Sequence, residues 1–138
     1  AAGGVPAPWA AQAGGVAAFG DDVERLVAER KPGLAFTLGA MGSARHNFYN
    51  DAFRRAGYED AAREVQRLWL EGKRAEAATR VPDELALKAN LLGTEQMVRE
   101  RVATYRRAGV TTLRVEPAGT TLDARVATLA RLMDLLRR

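Results

Sequence analysis

Cysteine is absent from the 138-residue sequence. Disulfides, thiolate metal sites, iron–sulfur clusters and cysteine nucleophiles are excluded with it. A single histidine, His46, excludes any site that needs two histidines from one chain. No apolar run approaches the roughly 18 residues that a membrane helix requires, so no membrane partner is expected. The first residues are small and apolar but lack the basic segment of a signal peptide, which makes the cytoplasm the default compartment. Lysine is scarce as well, with 3 against 18 arginines.

What is present is ordinary globular material: 47% hydrophobic and 28% charged residues, a balance that does not suit a disordered chain. The length fits one domain or part of a larger one, and it is enough to bury roughly 68–70% of the unfolded surface. The formal net charge is +4. The charges alternate in sign, as in Arg63, Glu64, Arg67 and Glu71, or Arg99, Glu100 and Arg101. Alternation of this kind marks solvated helix faces, whereas a nucleic-acid binder clusters its cations on one face. The excess of 27 alanines beside the arginines reads as coding bias rather than as a nucleic-acid signal. The pairs Arg106–Arg107 and Arg137–Arg138 fall at helix ends, where cations complement the helix dipole.

Residues 1–14 are rich in Ala, Gly and Pro and read as an irregular lead-in, followed by a short strand over Gly15–Phe19. Asp21 and Glu24 have the spacing of a capping box, opening a helix that Val23, Leu26 and Val27 carry to Lys31. Residues 34–41 are ambiguous. Leu34, Phe36 and Leu38 alternate like a strand, while Leu34, Leu38 and Met41 fit helical spacing. From Asn47 the chain reads as helices: one ending at Gly57, one over Tyr58–Leu70 with Ala61, Val65, Leu68 and Trp69 on one face, a turn or two over Ala75–Arg80, and one opened by Pro82. Gly93–Thr94 ends that segment and caps the next, whose stripe is Val98, Val102, Tyr105 and Ala108, closed by Gly109. Val110–Glu116 is the clearest strand. The last helix runs from Leu122 to about Leu136, with the stripe Leu122, Val126, Leu129, Met133 and Leu136. Two strands alone cannot make a sheet with both faces covered, so either helices supply the core or partner strands lie elsewhere.

Few groups point to chemistry. Gly39-Ala-Met-Gly42-Ser43 could receive an anion if a helix followed directly, but it lacks the ending of a P-loop, and a close helix–helix turn accounts for it. His46-Asn47-Phe48-Tyr49-Asn50 is the densest cluster of capable side chains, although no carboxylate lies beside His46. The paired acids Glu59–Asp60 and Asp83–Glu84 sit in first helical turns, where they offset the dipole. Glu116-Pro117-Ala118-Gly119-Thr120 follows the carboxyl end of the best strand, where ligands bind in α/β folds. The residues by themselves give a mostly helical α/β chain with no complete active site.

Three segments carry a resemblance: GDDVERL from Gly20, the run GAMGSARHNFYNDAFRRAGYEDAAREVQRLWLEGKRAEAATRVPDEL from Gly39, and LLGTEQMVRERVATYRRAGVTTLRVEP from Leu91. They resemble the carboxyl-terminal half of the luciferase-like oxidoreductases, in the branch that uses the deazaflavin coenzyme F-420, over about Gly15 to Val115. The resemblance implies a (β/α)8 barrel, of which residues 1–138 would be a single C-terminal portion of strands and outer helices. A whole barrel typically needs about 250 residues. Gly15–Phe19 would be the seventh strand, Thr111–Glu116 the eighth, and Leu122–Leu136 the final outer helix. Residues 34–41 would be helix, continuing the first helix past Pro32. The implied activity is hydride transfer between reduced deazaflavin and a small organic substrate, with flavin mononucleotide and a monooxygenase reaction as the near alternative. Most cofactor contacts would come from a missing N-terminal half, and homo-oligomers are compatible with the family. No catalytic, cofactor-binding or metal residue is carried over, because no position matches one. The alternative of another class is a non-catalytic helical interaction module or truncated remnant.

Overall fold

The protein is described by a computed structural model that covers residues 11–41 and 47–138. The described residues form an α/β structure, mostly helical, with one small parallel sheet of three strands. The chain divides into two compact units. One is the continuous segment Asp22–Lys88, and the other joins the residues up to Asp21 to Ala89–Arg138.

The helical unit contains α1 (Val23–Ala40), α2 (Phe48–Phe53), a π-helical turn over Arg54–Tyr58, α3 (Glu59–Leu70), α4 (Arg74–Thr79) and α5 (Asp83–Lys88). The cap of α1 is Asp22 rather than Asp21, and its carboxylate accepts the Arg25 N–H at 3.1 Å. Residues 34–40 are helix, as the resemblance implied, and Pro32 lies inside α1. The alternation of Leu34, Phe36 and Leu38 loses to packing: Ala35, Leu38 and Gly39 share one helical face and are buried, while Phe36 is exposed. Gly39 is required there, because an added Cβ would lie 2.4 Å from Cγ of Trp69. On α3 the buried set is Ala62, Val65 and Leu68, so Ala62 and not Ala61 faces the core. These residues pack with Ala77, Val81 and Leu85.

The second unit holds β1 (Gln12–Phe19), β2 (Leu91–Gly93), α6 (Glu95–Arg107), β3 (Thr112–Pro117) and α7 (Leu122–Arg137). The first strand begins at Gln12 instead of Gly15. The part of the expected lead-in over residues 1–10 lies outside the described residues. The strand β2 corrects the two-strand reading: Leu91–Gly93 is a buried ladder, not the end of a helix. Because it intervenes, Gly15–Phe19 and Thr111–Glu116 are not consecutive strands.

The sheet order is β2-β1-β3, which differs from the consecutive order of a barrel. β1 pairs with β2 at three positions, Ala17 with Leu91 to Phe19 with Gly93. It pairs with β3 at six, Gln12 with Thr112 to Ala17 with Pro117. The three-residue edge of β2 offers β3 fewer backbone partners than the long edge of β1, and unpaired buried N–H and C=O groups are costly. Leu113 and Val115 of β3 meet Ala17, Leu91, Val98, Val102, Leu132 and Leu135 in the core of this unit, while Arg114 and Glu116 are exposed.

The expected stripe of α7 is largely wrong. Leu132 and Leu135 are its buried residues, whereas Leu122, Val126, Leu129 and Met133 are exposed. The expected Ala108 end of the α6 stripe is likewise exposed, and Val98 and Val102 carry the packing.

Candidate site at the carboxyl edge and open face of the sheet

Parallel pairing brings the carboxyl ends of all three strands to one edge. The Gly20 N–H donates to the Gly93 carbonyl at 3.0 Å, and the Ala118 N–H donates to the Ala17 carbonyl at 2.9 Å. Arg131 of α7 braces this edge. Its Nε donates to Glu95 Oε1 at 2.7 Å, and its guanidinium lies 4.6 Å from the centre of the Phe19 ring. The guanidinium hydrogen bond holds the Glu95 carboxyl below the usual carboxylate value.

The expected segment Glu116–Thr120 lies at this edge, but its groups serve the fold. Gly119 has φ +150, and an added Cβ would come within 2.7 Å of the Arg125 amide nitrogen. Thr121 caps α7 by accepting the Ala124 N–H at 3.1 Å. Thr128 Oγ1 donates to the Ala118 carbonyl at 2.9 Å.

Behind the edge lies a groove of about 700 Å³, lined by Gln12 to Val16, Asn90, Arg114 to Pro117 and Arg125. Its floor depends on Gly14 and Gly15, with φ of +147 and +143. A Cβ on Gly14 would stand 1.9 Å from the Arg114 carbonyl oxygen, and one on Gly15 would stand 2.1 Å from that of Ala89. Glycine alone allows both the backbone angle and the approach. Buried Asn90 joins in by accepting the Val16 N–H at 2.9 Å. Two guanidiniums against one carboxylate, Glu116, favour an anion in this groove. The lining contains no aromatic ring and no nucleophile–base pair. Alternation along β3 was the available signal for Arg114 opposite Leu113 and Val115, while nothing local marked Asn90, Gln12 or Arg125.

The other expected residues lie in the helical unit, and the fold does not bring them to the groove. Gly42, Ser43 and His46 lie outside the described residues. Asn47 and Asn50 are buried in a hydrogen-bonded knot. Asn47 Nδ2 donates to the Leu38 carbonyl at 2.8 Å, Asn50 Nδ2 to those of Leu38 at 3.1 Å and Ala62 at 2.7 Å, and the Asn50 N–H to Asn47 Oδ1 at 3.0 Å. Phe48 and Tyr49 are exposed and meet edge to face at 5.8 Å.

Three of the four paired acids are ion-paired in place. Glu59 is bound by Arg63 at 2.6 Å and Arg54 at 3.3 Å, Asp83 by Lys31 at 2.5 Å, and Glu84 by Lys88. Arg63 first and Arg54 second hold the Glu59 carboxyl below its usual value, and Lys88 does the same for Glu84. Carboxyls so depressed are poor proton donors near neutrality. Among the described residues no cluster of three or more His, Cys, Asp or Glu could hold a metal, and no helix is long and apolar enough to cross a membrane.

The profile of the luciferase-like monooxygenases matches residues 1–112. A protein of Mycobacterium tuberculosis, provisionally named as a coenzyme F-420-dependent oxidoreductase, is 41% identical over 91 residues. That alignment covers 66% of this chain and 26% of the relative, so the chain spans about a quarter of the relative's length. No solved structure matches the chain.

Proposed function

Because the chain belongs to the luciferase-like monooxygenase family, we propose that it works as the C-terminal part of a deazaflavin F-420-dependent oxidoreductase. The reaction is hydride transfer between the reduced deazaflavin and a small organic substrate. The observation that carries the choice of cofactor is the 41% identity to the mycobacterial relative. The family description favours a second reading, a flavin-dependent monooxygenase.

The described residues do not by themselves fit the cofactor. A tricyclic ring needs a concave, mainly apolar pocket, whereas the groove on this sheet has no aromatic wall. No catalytic step is therefore assigned to this chain's side chains. Its role in the proposal is architectural. β1, β2 and β3 contribute three parallel strands, whose order β2-β1-β3 is not that of consecutive barrel strands, α6 and α7 cover one face, and the other face, carrying Arg114 and Glu116, stays open toward the rest of the protein. Arg114 and Arg125 then offer positive charge on the inner side. The partners are that remaining part of the barrel, the cofactor and the substrate.

The test compares the native gene product with the 138-residue chain. Intact mass from source cells gives the native length, and fluorescence titration with F-420 and flavin mononucleotide gives the preference. The expected result is a native product of roughly 250 residues or more that binds the deazaflavin, and an isolated chain that binds neither cofactor. A native product of 138 residues without affinity for either would replace catalysis with the interaction-module reading.

A further inference from the structure

A further cavity lies in the sheet unit, at the amino edge of the strands. That is the end opposite to the edge where α/β folds bind their ligands. Its volume is about 420 Å³, at the small end of the roughly 300–1,000 Å³ usual for ligand pockets. Val102 and Tyr105 of α6, Leu113 of β3, Leu136 of α7 and Val110 form its apolar walls. Val102, Tyr105, Leu113 and Leu136 also belong to this unit's own core, on the sheet face that α6 and α7 cover. The cavity is a gap under that cover and not part of the open face.

The charge at its rim is positive. Arg106 lines the cavity, and the described lining holds no carboxylate. One Arg106 nitrogen donates to the Leu136 carbonyl at 3.3 Å, which ties the carboxyl end of α6 to that of α7. Arg106, Arg107, Arg137 and Arg138 all fall at these two ends. The two helix ends together present about one negative charge, so the four cations leave a positive surplus. We infer that this cavity binds a small organic carboxylate with an apolar body. The body lies against Val102, Leu113 and Leu136, and the carboxylate meets the planar fork of Arg106 at the rim. An inorganic anion would leave the apolar walls in water, and a neutral apolar molecule would leave the cations unanswered. Burial pushes the Tyr105 phenol up, so it stays uncharged near neutrality and does not repel the ligand. The inference does not depend on the oxidoreductase reading.

The test titrates the native gene product with octanoate and, separately, with octanol, and follows the methyl NMR signals. With octanoate the signals of Val102, Val110, Leu113 and Leu136 should shift together and saturate, with a Kd of about 0.1–1 mM for so small a ligand. Arg106→Gln should weaken octanoate about three- to fivefold, as for a rim ion pair, and leave octanol binding unchanged. Val110→Trp should fill the mouth and abolish both. Arg114→Gln, in the other groove, should change neither. Circular dichroism checks the fold of each variant. Arg106 is exposed, so if Val110→Trp does not fold, Arg106→Gln decides. Octanoate that leaves these four residues unshifted overturns the inference. So does binding that never saturates, an Arg106→Gln variant that binds octanoate as tightly as the parent, or a loss caused by Arg114→Gln in its place.

Discussion

Asn50 shows how a side chain suited to chemistry can be consumed by structure. Leu38 lies in the last turn of α1, where carbonyls run out of helical partners. The Asn50 amide donates to that carbonyl and to that of Ala62, so one buried side chain joins two helices. Asn50→Ala should lower stability by about 1–3 kcal/mol, the usual cost of leaving buried polar groups unmet. Asn50→Asp should cost more, because a carboxylate would face two carbonyl oxygens in place of a donor. Denaturant midpoints compare the two, and an Asp variant as stable as the Ala variant would contradict the assignment. The sequence marked Asn47 as a cap and it is one, with its side chain accepting the Asn50 N–H. It could not mark the knot, because the acceptors are backbone carbonyls 9 and 12 residues away, and every residue type supplies those.

Elements were legible where their ends carry local chemistry. Gly109 was read as the stop of the helix before the last strand, and its φ is +84. The Gly109 N–H donates to the Arg106 carbonyl and the Val110 N–H to that of Tyr105, each at 3.0 Å, which closes α6 with a left-handed glycine. An added Cβ there meets nothing within 4 Å, so Gly109→Val should cost only the backbone strain, about 1–2 kcal/mol. An unchanged melting midpoint would deny that conformation. The α7 stripe was misread because apolar spacing gives a face without saying what lies against it. The sheet takes Leu132 and Leu135, leaving the more regular series in solvent.

The outer face of α3 carries a pH dependence. Hydrogen bonds hold three carboxyls below 4.5: from Arg63 to Glu59, from Arg67 to Glu64, and from Lys73 with Arg67 to Glu71. A carboxyl whose folded value lies below its unfolded one stabilises the fold above the unfolded value, and that contribution fades as pH falls through the folded value. The melting midpoint should therefore hold from neutrality to about pH 4.5 and decline below it. Because the pairs are exposed, the decline should shrink in high salt. Arg67→Gln removes the Arg67 contacts to Glu64 and Glu71 and should make the decline shallower, and an equally steep decline in that variant would place the acid sensitivity elsewhere.

At the scale of the whole chain, the rhythm of strand, helices, strand and helix was readable, and so was the family texture. The middle strand was not. Leu91–Gly93 is three residues long, too short for any alternation to show. Strand order was equally hidden, because it depends on which edges are longest once the strands exist. The candidate groove was missed for the same reason. Gly14, Asn90, Arg114 and Arg125 line one space, yet they come from four separate stretches of sequence.

The placement of the helical segment Asp22–Lys88 between β1 and β2 bears on the order in which the protein can be made. Gln12 pairs with Thr112, 100 residues later. At ribosomal rates of about 5–20 residues per second, that interval is about 5–20 s. Throughout it β1 has no permanent neighbour on that edge, while α1 to α5 already possess every partner in their own core. Of the three described strands, the one earliest in the chain is thus the last to be completed, and contacts so distant along the chain also slow refolding. A nascent chain halted before β3 would present the long edge of β1 to whatever other strand it meets.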